Sequence, residues 1–167
     1  MRGGSGSGRF LVSQGEVVVE RNSECDDTRL ARCFVNQVLP AVLRQRGLLV
    51  LHANAVKVGD GVVLIGGDSG AGKSTTLAAL LYRGYRMVSD DVTALKTGSE
   101  AEGVDVVPGV AQTHLTEDSA TRLGYEIDPA QLQPWRRMKA AIPTRRSMAT
   151  GPAPLRMIVF LSIHDVQ

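Results

Sequence analysis

The chain has 167 residues, 43% of them hydrophobic and 22% charged, the balance of an ordinary globular protein rather than a disordered or fibrous one. Aromatic residues make up only 4%, too few for a platform on which single-stranded nucleic acid would stack, and a formal net charge of +2 does not of itself call for a polyanionic partner. No apolar run approaches the roughly 18–20 residues of a membrane span, and the Gly/Ser-rich stretch Met1–Gly8 lacks the apolar core of a signal peptide. The expectation is a cytoplasmic protein with one domain over residues 9–167, preceded by a flexible arm or expression scar at 1–8. Neither nucleic acid nor membrane is expected as a partner, and homo-oligomerisation is left open.

Taken in chain order, Phe10–Val12 and Glu16–Glu20 flank Ser13-Gln14-Gly15 and predict a short hairpin. Asp26 and Asp27 offer capping oxygens to Leu30, Phe34 and Val38, an apolar series at helical spacing. Pro40 should kink that helix or begin a second one, and Gly47 closes it. Cys33 falls at an apolar position of the same helix; with Cys25 it forms a C-x7-C spacing that matches no zinc or redox motif, so both read as plain thiols. Leu48–Val58 reads as a strand, followed by the turn Gly59-Asp60-Gly61. Val62–Ile65 is a continuous apolar run, as expected of a strand buried on both faces. A glycine-rich loop then leads into a helix, Lys73–Arg83, ended by Gly84. Met87–Ser89 predicts another buried strand that stops at Asp90-Asp91, and Val92–Lys96 continues extended.

Beyond Gly98 the pattern weakens. Val104–Val107 and Lys139–Ile142 are strand candidates, Glu117–Leu123 a short helix, and Met157–Leu161 a buried strand. Arg136, Arg137, Lys139, Arg145 and Arg146 read as a solvated surface, with contact to a triphosphate or an acidic peptide as the sharper alternative. His114 and His164 have no partner pattern and read as structural. Strand–helix–strand alternation at the centre argues an α/β fold with a mixed central sheet and a short N-terminal hairpin.

The most informative stretch is Gly67-Asp68-Ser69-Gly70-Ala71-Gly72-Lys73-Ser74, which satisfies G-x-x-x-x-G-K-[ST] between a predicted strand and a predicted helix. Of the 18 glycines, four lie in Met1–Gly8 and six between Gly59 and Gly72, so the excess is a tail plus a phosphate cradle. Glycines let successive backbone amides turn toward one anion, and the helix N-terminus adds its partial positive charge. Lys73 can reach the outer phosphates, the Ser74 hydroxyl can join a Mg²⁺ shell, and Thr75 extends the cradle. ATP with Mg²⁺ is the expected cofactor pair. A switch GTPase would carry an N-K-x-D segment and a transporter ATPase an L-S-G-G-Q-type signature; neither occurs, which favours a kinase.

Asp90 and Asp91 stand 17 and 18 residues beyond Lys73, at the end of the next strand, where ligands collect in open α/β sheets. Adjacent residues of a strand point to opposite faces, so the two aspartates are expected to divide the work: metal or water binding for one, proton acceptance for the other. His52 lies in the apolar stretch Leu49–Val56; by spacing alone a core histidine and a catalytic one both remain open.

The sequence at this point resembles the HPr kinase/phosphorylase family. Leu51-His52-Ala53, then the phosphate loop at 67–74, then Arg83-Gly84-Tyr85-Arg86-Met87-Val88-Ser89-Asp90-Asp91 follow that family's order, with the histidine fifteen residues before the first loop glycine. The likeness covers Arg46 to Lys96. It implies a kinase core related to the phosphoenolpyruvate carboxykinase fold, transferring the γ-phosphoryl group of ATP to a serine hydroxyl. By the same resemblance Asp91 is the proton acceptor and His52 its companion; Lys73 and Ser74 contact phosphate and Mg²⁺, and Asp90 is a metal or water ligand. The family's E-I-R-G-type segment is absent, with Glu117 and Asp118 nearest to its place, so reversal of the reaction is not expected. The compact outline resembles HPr kinase-like proteins that modify serines of ribosomally made peptides such as lasso precursors. A peptide or small protein bearing a serine is the expected substrate; a kinase for a small metabolite and an ATP-sensing module are the alternatives.

Overall fold

The computed structural model describes residues 8–13, 15–21, 27–98, 103–127 and 139–163. The expectations placed on Gln14, Cys25, Asp26, Arg136, Arg137 and His164 lie outside those residues. The chain divides into two compact units, residues 1–50 and 51–167.

The first unit opens with the expected hairpin: β1 (Arg9–Ser13) pairs antiparallel with β2 (Glu16–Glu20), with Gly15 at φ 84° in the turn. α1 (Asp27–Cys33) follows, and α2 (Leu39–Gln45) completes the helical series. Between them Phe34–Val38 is wound as a π-helix, with the Leu39 amide donating to the Phe34 carbonyl. Pro40 is the physical cause: lacking an N–H, it cannot continue the ladder, and the chain re-enters a new helix at its first turn, where proline costs nothing. Gly47, at φ 78°, takes the left-handed position after the last turn.

The second unit is mixed α/β. A seven-stranded sheet runs in the order β3-β7-β8-β11-β5-β4-β6. Its strands are β3 (Leu49–Leu51), β4 (Asn54–Val58), β5 (Gly61–Gly67), β6 (Arg86–Ser89), β7 (Thr93–Thr97), β8 (Val104–Val107) and β11 (Ala153–Leu161). β5 pairs parallel with β11, from Leu155↔Val62 to Leu161↔Gly67, and β4 lies antiparallel to both β5 and β6. α3 (Lys73–Tyr82) covers one face: Leu77 and Leu81 pack with Val56, Ile65 and Met87. The opposite face holds Ala55, Val62, Leu64, Val88, Leu95 and Val106. Both faces of β4 and β5 are thus buried, which is why Val62–Ile65 is apolar without alternation. A separate antiparallel pair, β9 (Gln112–Thr116) with β10 (Lys139–Pro143), joins α4 (Glu117–Arg122) around Ala78, Leu115, Ala120 and Ile142. No helix among the described residues is long and apolar enough to cross a membrane.

Two expectations need correction. Leu48–Val58 is two strands, because the chain leaves the β7 side of the sheet at Leu51 and re-enters between β5 and β6 at Asn54. Met157–Leu161 does form a strand, but it is not buried: Met157, Ile158 and Phe160 expose 57%, 47% and 76% of their surface. Its partner β8 reaches only Ala153 and Pro154, so beyond that point, among the described residues, β11 has a neighbour on one side alone.

Candidate active site

The phosphate loop leaves the end of β5 and turns through residues 68–72 into α3. Gly67, Gly70 and Gly72 sit at φ 139°, 95° and 94°, a region that side chains resist. Gly67 has a second reason to be glycine: a Cβ there would run into the Leu161 carbonyl on the neighbouring strand. The first helical bond, Thr76 N–H to Gly72 C=O at 2.8 Å, leaves the preceding amides at the helix's positive end. Lys73 is buried and curls back over its own loop, its Nζ donating to the carbonyls of Gly67 (2.7 Å) and Asp68 (3.1 Å).

Opposite this cradle, the chain bends at Asp90-Asp91 between β6 and β7. Asp91 is at φ 61°, the one non-glycine residue with positive φ among those described. Three bonds fix the bend against the β3–β4 break and a fourth spans the bend itself. The Asp91 amide donates to Asn54 Oδ1 (3.1 Å), and the Asp91 carbonyl accepts from His52 Nδ1 (2.9 Å). Thr93 Oγ1 donates to the Ala53 carbonyl and lies within 2.6 Å of both that oxygen and Ser89 Oγ. A carbonyl can only accept, so the His52 Nδ1 carries the proton of that bond. His52 is exposed and stands at the break between strands, so the core reading of this residue does not hold.

The aspartates are not on opposite faces of a strand. Both lie beyond its end, and their carboxylates converge with a ring nitrogen of His114: one ligand atom from each falls within 4.8 Å of the others. Both Asp90 oxygens are out of solvent and form no hydrogen bond of good geometry. Burial, and behind it the charge of Asp91, pushes the Asp90 carboxyl up to about 7; the Thr113 hydroxyl, the His114 amide and Lys139 oppose that rise.

A cavity of about 480 Å³ joins these parts. Ser69, Gly70 and Gly72–Thr75 form one wall, His52 and Asp91 another, and His114 with Lys139 a third. Gly67, Asp68 and Ala71 shape the loop without reaching the cavity wall, and Asp90 lies behind Asp91. Thr75 Oγ1 meets Ser119 Oγ at 3.0 Å, tying the head of α3 to the N-cap region of α4.

The sequence reads His114 as structural and Lys139 as solvated surface, with triphosphate contact as the sharper alternative for Lys139; both reach the cavity wall. They come from β9 and β10, whose register places Lys139 directly opposite Thr116, another cavity residue. The one available signal was the alternation Gln112-Thr113-His114-Leu115-Thr116, with Thr113 and Leu115 buried and the polar residues between them. Glu117 and Asp118, the stand-ins for a further metal carboxylate, are exposed on α4 and not on the cavity wall; Asp118 pairs with Arg122 at 2.9 Å.

No family model matches the chain. Among curated proteins, an HPr kinase/phosphorylase of Caldicellulosiruptor bescii is 33% identical over 91 residues, 54% of this chain and 26% of the relative. The HPr kinase/phosphorylases of Treponema pallidum and Limosilactobacillus reuteri are each 39% identical over 67 residues, 40% of this chain. Over those spans the chain is HPr kinase-like. The HPr kinase-like match spans 19–26% of the length of these relatives. A solved structure, the Hpr(Ser) kinase/phosphatase from Coxiella burnetii, is 21% identical over 67% of this chain and 64% of that chain, with a TM-score of 0.43.

As a donor set the site suits the groups that an HPr kinase-like segment implies. A glycine cradle with a lysine fits a triphosphate. The buried carboxylate of Asp90 and the Ser74 hydroxyl on the cavity wall are oxygen donors of the kind a divalent cation takes.

Proposed function

We propose that the chain is a kinase that transfers the γ-phosphoryl group of ATP to a serine-type hydroxyl of a peptide or small protein, including precursors of ribosomally made peptides. The observation that carries this reading is the single cavity in which a phosphate loop faces an aspartate held in a strained, four-bonded turn. A nucleotide-binding module needs the first feature and has no use for the second.

The loop amides and Lys73 hold the phosphates, with Gly67, Asp68, Ser69, Gly70, Ala71, Gly72 and Thr75 shaping the cradle. Ser74 and Asp90 would hold Mg²⁺. When bound, the cation draws charge from the phosphate oxygens. Asp91 accepts the proton of the acceptor hydroxyl as its oxygen bonds to the γ-phosphorus; the bond from that phosphorus to the bridging oxygen breaks, and ADP leaves with the electron pair. His52 acts through the Asp91 carbonyl and is a positioning residue. Catalysis is then placement and charge stabilisation.

Incubation with γ-labelled ATP and panels of serine-bearing peptides and of small hydroxylated metabolites tests the reading. Label on a peptide is the expected result. Label confined to metabolites replaces the acceptor, and ATP binding without transfer to any acceptor replaces the reaction.

A further inference from the structure

At the end of the sheet away from the phosphate loop, two cations meet. Lys57 pairs with Val62 at the start of β5, whereas the phosphate loop leaves the end of that strand. On its other side Lys57 lies directly opposite Arg86 of β6, so both side chains leave the same face. They line a shallow concavity of about 340 Å³ together with Tyr85, Gly59 and Gly84. We propose that this concavity docks an acidic segment of a peptide or protein partner, at a place separate from the phosphate cavity. β4 begins at Asn54 and β6 leads into Asp90, so the aspartate turn lies at the far end of the same two strands, roughly 10–13 Å away at about 3.3 Å per residue.

Charge complementarity names the occupant. Among the described residues neither Lys57 nor Arg86 forms an ion pair. Asp60, on the turn that closes β4, is bonded to Arg156 at 3.0 Å; that guanidinium foremost, and Lys57 to a smaller extent, hold its carboxyl below the ordinary range. Three cations against this one carboxylate leave a local excess equal to the formal net charge of the whole chain, +2. Like charges opposed across a strand pair cost stability, and a carboxylate set between them turns the repulsion into two attractions. The neighbouring side chains suit a polypeptide: Tyr82 and Tyr85 expose 72% and 39% of their surface, and tyrosine and arginine are the usual anchors of protein interfaces. A Cβ at Gly59 or Gly84 would meet nothing within 4 Å, so a partner's chain has room over both. A compact anion such as phosphate suits the place less. The adjoining end of α3, closed at Gly84, is the negative pole of that helix, so attraction rests on outward-reaching side chains rather than on backbone amides.

The test is fluorescence anisotropy of a labelled peptide of alternating glutamate and serine added to the full chain, with the matching glutamine–serine peptide as control. The expected result is saturable binding of the glutamate peptide alone, weakening as salt is raised. Its affinity should fall about 10-fold or more in Arg86→Gln and in Lys57→Glu, the second of which gives Arg86 a carboxylate partner across the strands. Circular dichroism of both variants confirms that the fold persists. Saturating ATP with Mg²⁺ should leave the peptide bound. Absence of binding, equal binding of the glutamine peptide, or unchanged affinity in the folded variants would overturn the proposal. Displacement by ATP would overturn it too, by placing the peptide in the phosphate cavity. So would displacement by inorganic phosphate or by an oligothymidylate at lower concentrations than the unlabelled peptide requires, which would make the face a small-anion or nucleic-acid site. Binding here does not depend on phosphoryl transfer, so the result stands whatever acceptor the phosphate cavity serves.

Discussion

The two loops that face each other across the cavity solve opposite problems by opposite means. In the phosphate loop every unusual backbone angle falls on a glycine, and its one cationic side chain, Lys73, has two carbonyl partners at 2.7 and 3.1 Å. In the aspartate turn the unusual angle falls on Asp91, and Asp90 keeps a buried carboxylate without a good hydrogen bond. The first loop is relaxed before its ligand comes. The second is held under strain by its surroundings, through Asn54, His52, Ser89 and Thr93. A site that must bind phosphate in any orientation of its partner needs only the first kind; one that must present a base or a cation at a fixed point needs the second.

The sharpest way to break this contrast is to remove the charge from the relaxed loop. Lys73→Ala should lower phosphoryl transfer by about 10³-fold or more, read as initial rate with labelled ATP, because the outer phosphates lose their principal cation. Next in size is a backbone test. Gly67→Ala places a Cβ against the Leu161 carbonyl at φ 139° and should cost about 2 kcal/mol or more in urea unfolding. If it unfolds at the wild-type midpoint, the loop is not built on that close approach.

The strained turn predicts a pH signature. The Asp90 carboxyl rises from its ordinary 3.8 to about 7 on folding, so between those values the folded state binds more protons than the unfolded one. Stability of metal-free protein should therefore fall as pH rises from about 4 to about 7 and level off above. Asp90→Asn, which carries no charge to desolvate, should flatten that slope and melt higher than wild type at pH 8. An unchanged slope would show that the carboxylate is better solvated than its burial implies. The smallest effect on stability concerns Asp91. Asp91→Gly relieves the left-handed angle and should gain up to ~1 kcal/mol of stability while lowering transfer by about 10² or more, the pairing expected of strain kept for function.

How much of this was legible beforehand follows the same division. The elements from Val62 to Lys96 read correctly because their signals are local: an apolar run, a glycine pattern, a helix closed by Gly84 and a strand stopped by Asp90-Asp91. His114 was missed, and Lys139 was left between surface and triphosphate contact, because nothing near them in sequence says that β9 and β10 return to the mouth of the phosphate loop. His52 was ambiguous for a related reason. Its stretch is apolar throughout, and only the pairing of β3 and β4 with different neighbours opens a break there. Met157–Phe160 misled in the other direction: composition argues burial, but with β8 reaching only Ala153 and Pro154, strand pairing covers one side of β11 beyond that point.

The central claim is that the strained aspartate turns a nucleotide cradle into a kinase, and Asp91→Asn tests it most directly. The measurement is ATP affinity by calorimetry together with transfer of labelled phosphate to a peptide accepted by wild type. ATP affinity within about twofold of wild type with transfer reduced by about 10² or more is the predicted result. Full transfer in the Asn variant would contradict the account.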